Sequence, residues 1–363
     1  MGGDKQVQKA GDSSTQYQAG NMTIVNVNGV SEDRAKEIFA EQTQLARKEY
    51  TEDAYRIADE RVSKFEERFM PKITQVEEAL SAFADPAFQV LLRRAQLTAA
   101  ATEREVDYDL LTELLVYHVQ QGEDRKKRAA IKRSVEIIDD IDNGALCGLT
   151  AAYALLSFLP ATGNLIDGVR LLNTLFSRLL YQDLPIGSDW LDHLDVLGVV
   201  RIMPFSSVKK IAEHYLSSLG GYICVGINEN SEDYNKAIKI LENAKINRDL
   251  LVPNECLNGF YRLAVSSIDD IGHLVFSNGV VRYPINDEQK NALNQIWKMY
   301  STDAELKKHA VNTFMKIWNS FDALAKLNRW WDSIPQAFTI TQVGRILAQA
   351  NAKRCDSTLP DVI

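Results

Sequence analysis

The sequence predicts a mainly α protein: a short N-terminal β-arc segment, a long coiled-coil-like helix, and a multi-helix body with minor β structure. Three observations predict it. Apolar residues recur at steps of three and four from Ala58 to Phe83, which gathers them into one stripe on a helix. From residue 87 onward the text has mostly helical period, broken by short capped turns. Strand-like text, alternating and β-branched, is confined to a few short pieces.

Composition bounds the answer. The 363 residues are 45% hydrophobic and 25% charged, a globular balance that excludes a wholly disordered chain. The net charge of −8 (41 basic against 49 acidic) excludes a generic nucleic-acid coat or polybasic membrane binder as a description of the whole chain. The four cysteines, Cys147, Cys224, Cys256 and Cys355, form no CxxC pair and no zinc spacing. Residues 1–20 are polar and lack the apolar run of a signal peptide. The expectation is a cytoplasmic protein without a cofactor or metal.

The first element is a repeat. Ala10, Gly11, Asp12 and Ser14 recur nine residues later as Ala19, Gly20, Asn21 and Thr23. Glycine supplies a corner with positive φ, and Asp or Asn followed by Ser or Thr satisfies the turn backbone. Two such arcs bury no core alone, and repeat units need stacked neighbours. Residues 1–30 therefore read as an oligomerisation tag centred on Gly11, Asp12, Gly20 and Asn21, or as a disordered polar tail.

The second element, residues 31–85, is the long amphipathic helix. Ser31 is a suitable N-cap, and no glycine occurs from Val30 to Gln121. The stripe runs through Ala58, Val62, Phe65, Phe69, Ile73, Val76, Leu80 and Phe83. Pro71 predicts a kink and Pro86 a stop. A stripe this long either pairs with copies of itself through Val62, Phe65 and Phe69, or folds back as a hairpin onto its own body.

The body divides into helical domains at 86–220 and 221–363, on the glycines Gly220, Gly221 and Gly226 and the polar run 228–233. Helices are expected at 87–103, 106–120, 123–142, 144–159, 164–181, 189–199, 206–219, 232–244, 254–268, 286–300, 302–326 and 340–352. The uncharged stretch 144–166 contains a strongly apolar run (145–159), stopped by Pro160 and Gly163. That run is shorter than the roughly 20 residues needed to cross a bilayer, so it reads as a buried helix, with a membrane-active effector as the rival. Trp190–Ile202 looks like a helix entering a wing strand, and Phe338–Ala350 resembles the strand, Thr cap and helix that close winged-helix-like modules. About 135 residues separate them.

No P-loop, dinucleotide, zincin or hydrolase-elbow motif occurs, so enzymatic activity stays open. Two acid–histidine groups are the candidate chemistry: Asp192, His193 and Asp195, and Asp270 with His273. Each could ligate a metal or pair a base with its orienter, and each has the letters of a solvated helix face. The run Arg125, Lys126, Lys127, Arg128, Lys132, Arg133 could contact phosphates, form a charged helix face, or pair with the acids Glu136, Asp139, Asp140 and Asp142 that follow it. Those acids oppose the dipole of a helix end and call for a cation.

The repeat tag, the long charged helix, the Ala84–Phe88 junction and Phe338–Ala350 together resemble an uncharacterised bacterial family over most of the chain. The resemblance carries no activity. Similar tags on bacterial proteins imply a setting of genome conflict and phage defence. The expectation is a non-enzymatic, homo-oligomeric helical scaffold or sensor with a protein partner, without affinity for nucleic acid or membrane. The rivals are an enzyme at an acid–histidine site and the membrane effector.

Overall fold

The computed structural model describes residues 30–47, 51–76, 79–120, 124–277 and 282–360. The β-arc tag, with Gly11, Asp12, Gly20 and Asn21, lies outside them. The described residues are mainly helical with three small antiparallel sheets.

Helix α1 is Glu32–Arg47, and Ser31 accepts from the Arg34 N–H at its start. Helix α2 is Glu52–Ile73, running two residues past Pro71. A short 3-10 turn, Ala79–Ala84, leads to Asp85, which caps α3 (Pro86–Ala101) through the Ala87 N–H, with Pro86 in the first turn. Helix α4 is Glu105–Gln120 and α5 is Arg125–Glu136.

The stripe of α2 is buried within the single chain. Phe65, Phe69 and Ile73 are fully covered, and Val62 is only 6% exposed. Phe39 of α1 lies 6.1 Å from the Phe65 ring and 6.2 Å from the Phe69 ring, and α2 packs on α3 and α4. This corrects the expectation of a coiled-coil seam between copies through Val62, Phe65 and Phe69. Helix α1 ends at Arg47 and α2 begins at Glu52, and the apolar faces of α3 and α4 supply the surface that a second copy would have supplied.

Helix α6 is Asn143–Ser157, capped by Asp142, and every residue from Ala145 to Leu155 is buried. It ends before Pro160, and no helix among the described residues is long and apolar enough to cross a membrane. Helices α7 (Leu165–Leu179), α8 (Asp189–Val196), α9 (Ile211–Ser218), α10 (Glu232–Asn243) and α11 (Asp287–Trp297) follow. The helix expected at 302–326 is two, α12 (Ala304–Asn319) and α13 (Asp322–Trp331), because Phe321 is extended and Trp318 donates its indole N–H to the Leu324 carbonyl across the break. Helix α14 is Gln342–Cys355.

Strand β1 (Val200–Met203) has its partner far along the chain. The next strands are β2 (Ile227–Asn228), β3 (Leu251–Pro253), β4 (Phe260–Leu263), β5 (Val275–Ser277), β6 (Arg282–Pro284) and β7 (Ala337–Ile340). β1 pairs antiparallel with β7, Val200 opposite Ile340, so the two winged-helix-like pieces meet in one ribbon. Gly344 lies under this ribbon, where a Cβ would stand 2.2 Å from the Val199 carbonyl oxygen. The sheet β2-β4-β3 replaces the helix expected at 254–268. Gly259 has φ +76°, and Asn254 bonds the Cys224 and Val225 carbonyls and the Cys256 N–H, so local side-chain chemistry turns the chain there.

Two apolar clusters hold the molecule. One gathers residues from Ala35 to Val225 and takes back α12–α14, and the other lies between Ile227 and Ile296. The first cluster also takes in Cys256 and Leu257. Buried Arg262 joins the two clusters. Its Nε and Nη2 bond the Glu255 carboxylate at 2.8 Å each, and Nη2 also donates to the Gly163 carbonyl. Glu255 in turn accepts from the Leu165 N–H that opens α7.

Candidate binding cleft along the fifth helix

Helix α5 is the most basic helix in the body, and its burial is one-sided. Ala130, Ile131, Ser134 and Val135 face the core. Arg125, Arg128 and Lys132 recur at i, i+3 and i+7, which sets them along one outward face. Asp124 caps the helix by accepting from the Lys127 and Lys126 N–H groups, and these bonds hold its carboxyl below the usual range.

This face borders a cleft of about 410 Å³. Helix α3 contributes an apolar floor of Ala87, Val90 and Leu91, with Arg94 at its edge; α4 contributes His118; α5 contributes Arg125, Arg128, Ala129 and Lys132. Among the described residues no carboxylate lines it. Arg94 is anchored by an ion pair with Glu136, which Arg133 also approaches at 3.7 Å. Among the described residues no carboxylate pairs with Arg125, Arg128 or Lys132. Val90, a large apolar side chain, is 44% exposed between these cations.

His118 closes the back of the cleft. Its Nδ1 is buried without a hydrogen-bond partner, and its ring lies 6.0 Å from that of Phe88. Burial, and then the charge of Arg128, hold its pKa below the ordinary 6.5. The ring is therefore neutral at neutral pH.

The backbone that follows α5, rather than its acids, is held by Arg104. The Arg104 guanidinium donates to the Ile138 and Ile141 carbonyls and, at 3.0 Å, to Asn143 Oδ1. Its Nε bonds Asp107, which is fully buried and whose pKa burial raises. Asp142 is the cap of α6 rather than a free acid. Of the 125–133 run, Arg125, Arg128 and Lys132 face the cleft.

The acid–histidine candidates are built into the scaffold. His193 Nε2 accepts from the Asp142 N–H at 3.1 Å, and Asp195 approaches Arg201 at 3.5 Å. Asp192 is exposed and bonds neither. Asp270 accepts from the Ser266 hydroxyl and from the Ser266 and Ser267 N–H groups, a turn-closing role in which His273 has no part. Among the described residues no group of three His, Cys, Asp or Glu could hold a metal ion. A second cavity, about 230 Å³ between α2, α4 and α14, is lined by polar groups already in use. There Lys72 pairs with Glu113, and Gln349 bonds the Tyr153 hydroxyl and the Pro360 carbonyl.

Sequence reasoning found the α5 cations but missed Arg94, His118 and the Val90 floor. Those come from α3 and α4. The available signal was Val90 and Arg94 at i, i+4 on the helix before the basic run.

Fold and cleft define a mainly α-helical protein with a cationic cleft on its surface. A protein-family model described only as ":-like", a description that names no activity, matches residues 29–359, and the chain belongs to that family. No curated protein and no solved structure matches.

Proposed function

We propose that this protein is a non-enzymatic helical scaffold or sensor, assembled into homo-oligomers by residues 1–30, whose α5 cleft receives an anionic partner. One observation carries the reading: Arg125, Arg128 and Lys132 face an apolar-floored cleft, and among the described residues no carboxylate neutralises them. Cations held together unpaired repel one another, and an incoming anion relieves that cost. The family match begins at residue 29 and so covers the body without the tag. Tag and body are then separable: one sets copy number, the other recognises. Linked copies raise the effective concentration of clefts without any new contact.

Native mass spectrometry of the full chain and of a chain lacking residues 1–30 tests the assembly. A lower subunit number with an unchanged helical circular-dichroism spectrum is expected; equal subunit numbers sink the tag. The resemblance of the tag extends the proposal to bacterial anti-phage defence. Expression in a susceptible host should lower plaque counts, and counts unchanged across a broad phage panel remove that setting.

A further inference from the structure

We infer that the cleft between α3, α4 and α5 binds a nucleoside phosphate, with the phosphates along the cation row and the base on the apolar floor. This rests on the reading of the cleft as a ligand-receiving site and adds the ligand's chemistry. Arg94, Arg125, Arg128 and Lys132 border the space. Guanidinium forks match phosphate oxygens in pairs, and a lysine adds a point charge. From Arg125 to Lys132 the row rises about 10 Å at 1.5 Å per residue, the reach of a short chain of phosphates rather than of one inorganic ion.

The floor argues for the rest of the ligand. Val90 stays 44% exposed among cations, where a bare anion would leave it wet. A planar base covers Ala87, Val90 and Ala129 while its phosphates meet the arginines. The volume of about 410 Å³ lies within the range of about 300–1,000 Å³ typical of small-ligand sites. A polynucleotide fits less well. Beyond Arg94 lies a separate pocket lined by Glu136 and Asp139, where the Asp139 carboxylate opposes a further run of phosphates. The site is long enough for a nucleotide and closed electrostatically to a strand.

Isothermal titration of the full-length protein at about 0.15 M salt tests this, using ATP, GTP, CTP, UTP, adenosine and inorganic pyrophosphate separately. At least one triphosphate should saturate, with adenosine and pyrophosphate each weaker by about ten-fold or more, as expected for losing charged hydrogen bonds or apolar cover. Arg128→Gln, Lys132→Gln and Val90→Glu should each weaken that triphosphate by about ten-fold. Lys126→Gln, outside the lining, should leave it within about two-fold. These positions are exposed or half-buried, and unchanged circular dichroism confirms the fold of each variant. Pyrophosphate binding as tightly as every triphosphate overturns the nucleoside assignment while leaving a receiving cleft. So does capture of a phosphopeptide or a short oligonucleotide in place of nucleotides, or triphosphate binding that Arg128→Gln and Val90→Glu leave unchanged. Absence of binding by every anion tested overturns the underlying reading as well.

Discussion

At the scale of the residue, two buried groups set clear expectations. Arg262 is fully buried and holds Glu255, the Gly163 carbonyl and the face of the Tyr222 ring together. Replacing it with methionine keeps volume but strands the Glu255 carboxylate. Breaking a buried pair from one side costs about 3–5 kcal/mol, so Arg262→Met should lower the guanidinium midpoint clearly; a shift within error would show that the pair is dispensable. The second group is His118. Its pKa is depressed in the folded state, so below about 6.5 the unfolded chain binds the proton more readily. The stability it contributes is complete above that value and is lost as pH falls toward the folded pKa. Between about pH 7.5 and 5.5, wild type should therefore lose more urea resistance than His118→Gln. His214, also depressed by burial, is common to both proteins and cancels in the difference. Equal losses in the two would refute the assignment.

At the scale of the element, the stripe of α2 is the instructive case. Its spacing was legible, and the helix exists. What it packs on was not legible, because a core stripe and a coiled-coil seam share one pattern. Phe65 and Phe69 are fully buried against Phe39 and against each other, with a ring separation of 5.6 Å for the latter pair. Phe69→Ala should cost about 3–5 kcal/mol while leaving the subunit number of the folded protein unchanged. Dissociation of an otherwise stable oligomer would return the seam to the interface. The 254–268 segment shows the opposite failure. Its apolar letters suited a helix, but Gly259 and the Asn254 bonds redirect the backbone, and β4 finds partners on both sides. Strand pairing lies outside any local window.

At the scale of the whole molecule, the chain closes on itself. Helix α14 packs on α4, α5 and α6, and β7 pairs with β1 across the intervening 130 or so residues. Thr341 makes the closure specific, capping α14 while its hydroxyl bonds the Gly198 and Val199 carbonyls. Gly344→Ala places a methyl against the Val199 carbonyl, an overpacking of about 1–3 kcal/mol. Because the contact joins the two ends of the main core, thermal unfolding should shift down as a whole. A variant that melts like wild type would show that the ribbon is not needed for closure. The same closure holds α5 in place, since α14 and α3 flank it, and so the cleft depends on the far end of the chain.

The sequence by itself determined the helical class, most helix positions and their caps, and the clustering of cations on α5. These follow from short-range rules, namely side-chain period, N-cap chemistry and charge spacing, which act within a few residues. Only the tertiary structure decided that the α2 stripe is core, that Arg104 holds the carbonyls after α5, and that Val90, Arg94 and His118 join Arg125, Arg128 and Lys132 around one cleft. Burial and ion pairing are settled between elements distant in sequence, where a residue's own letters do not record its neighbours.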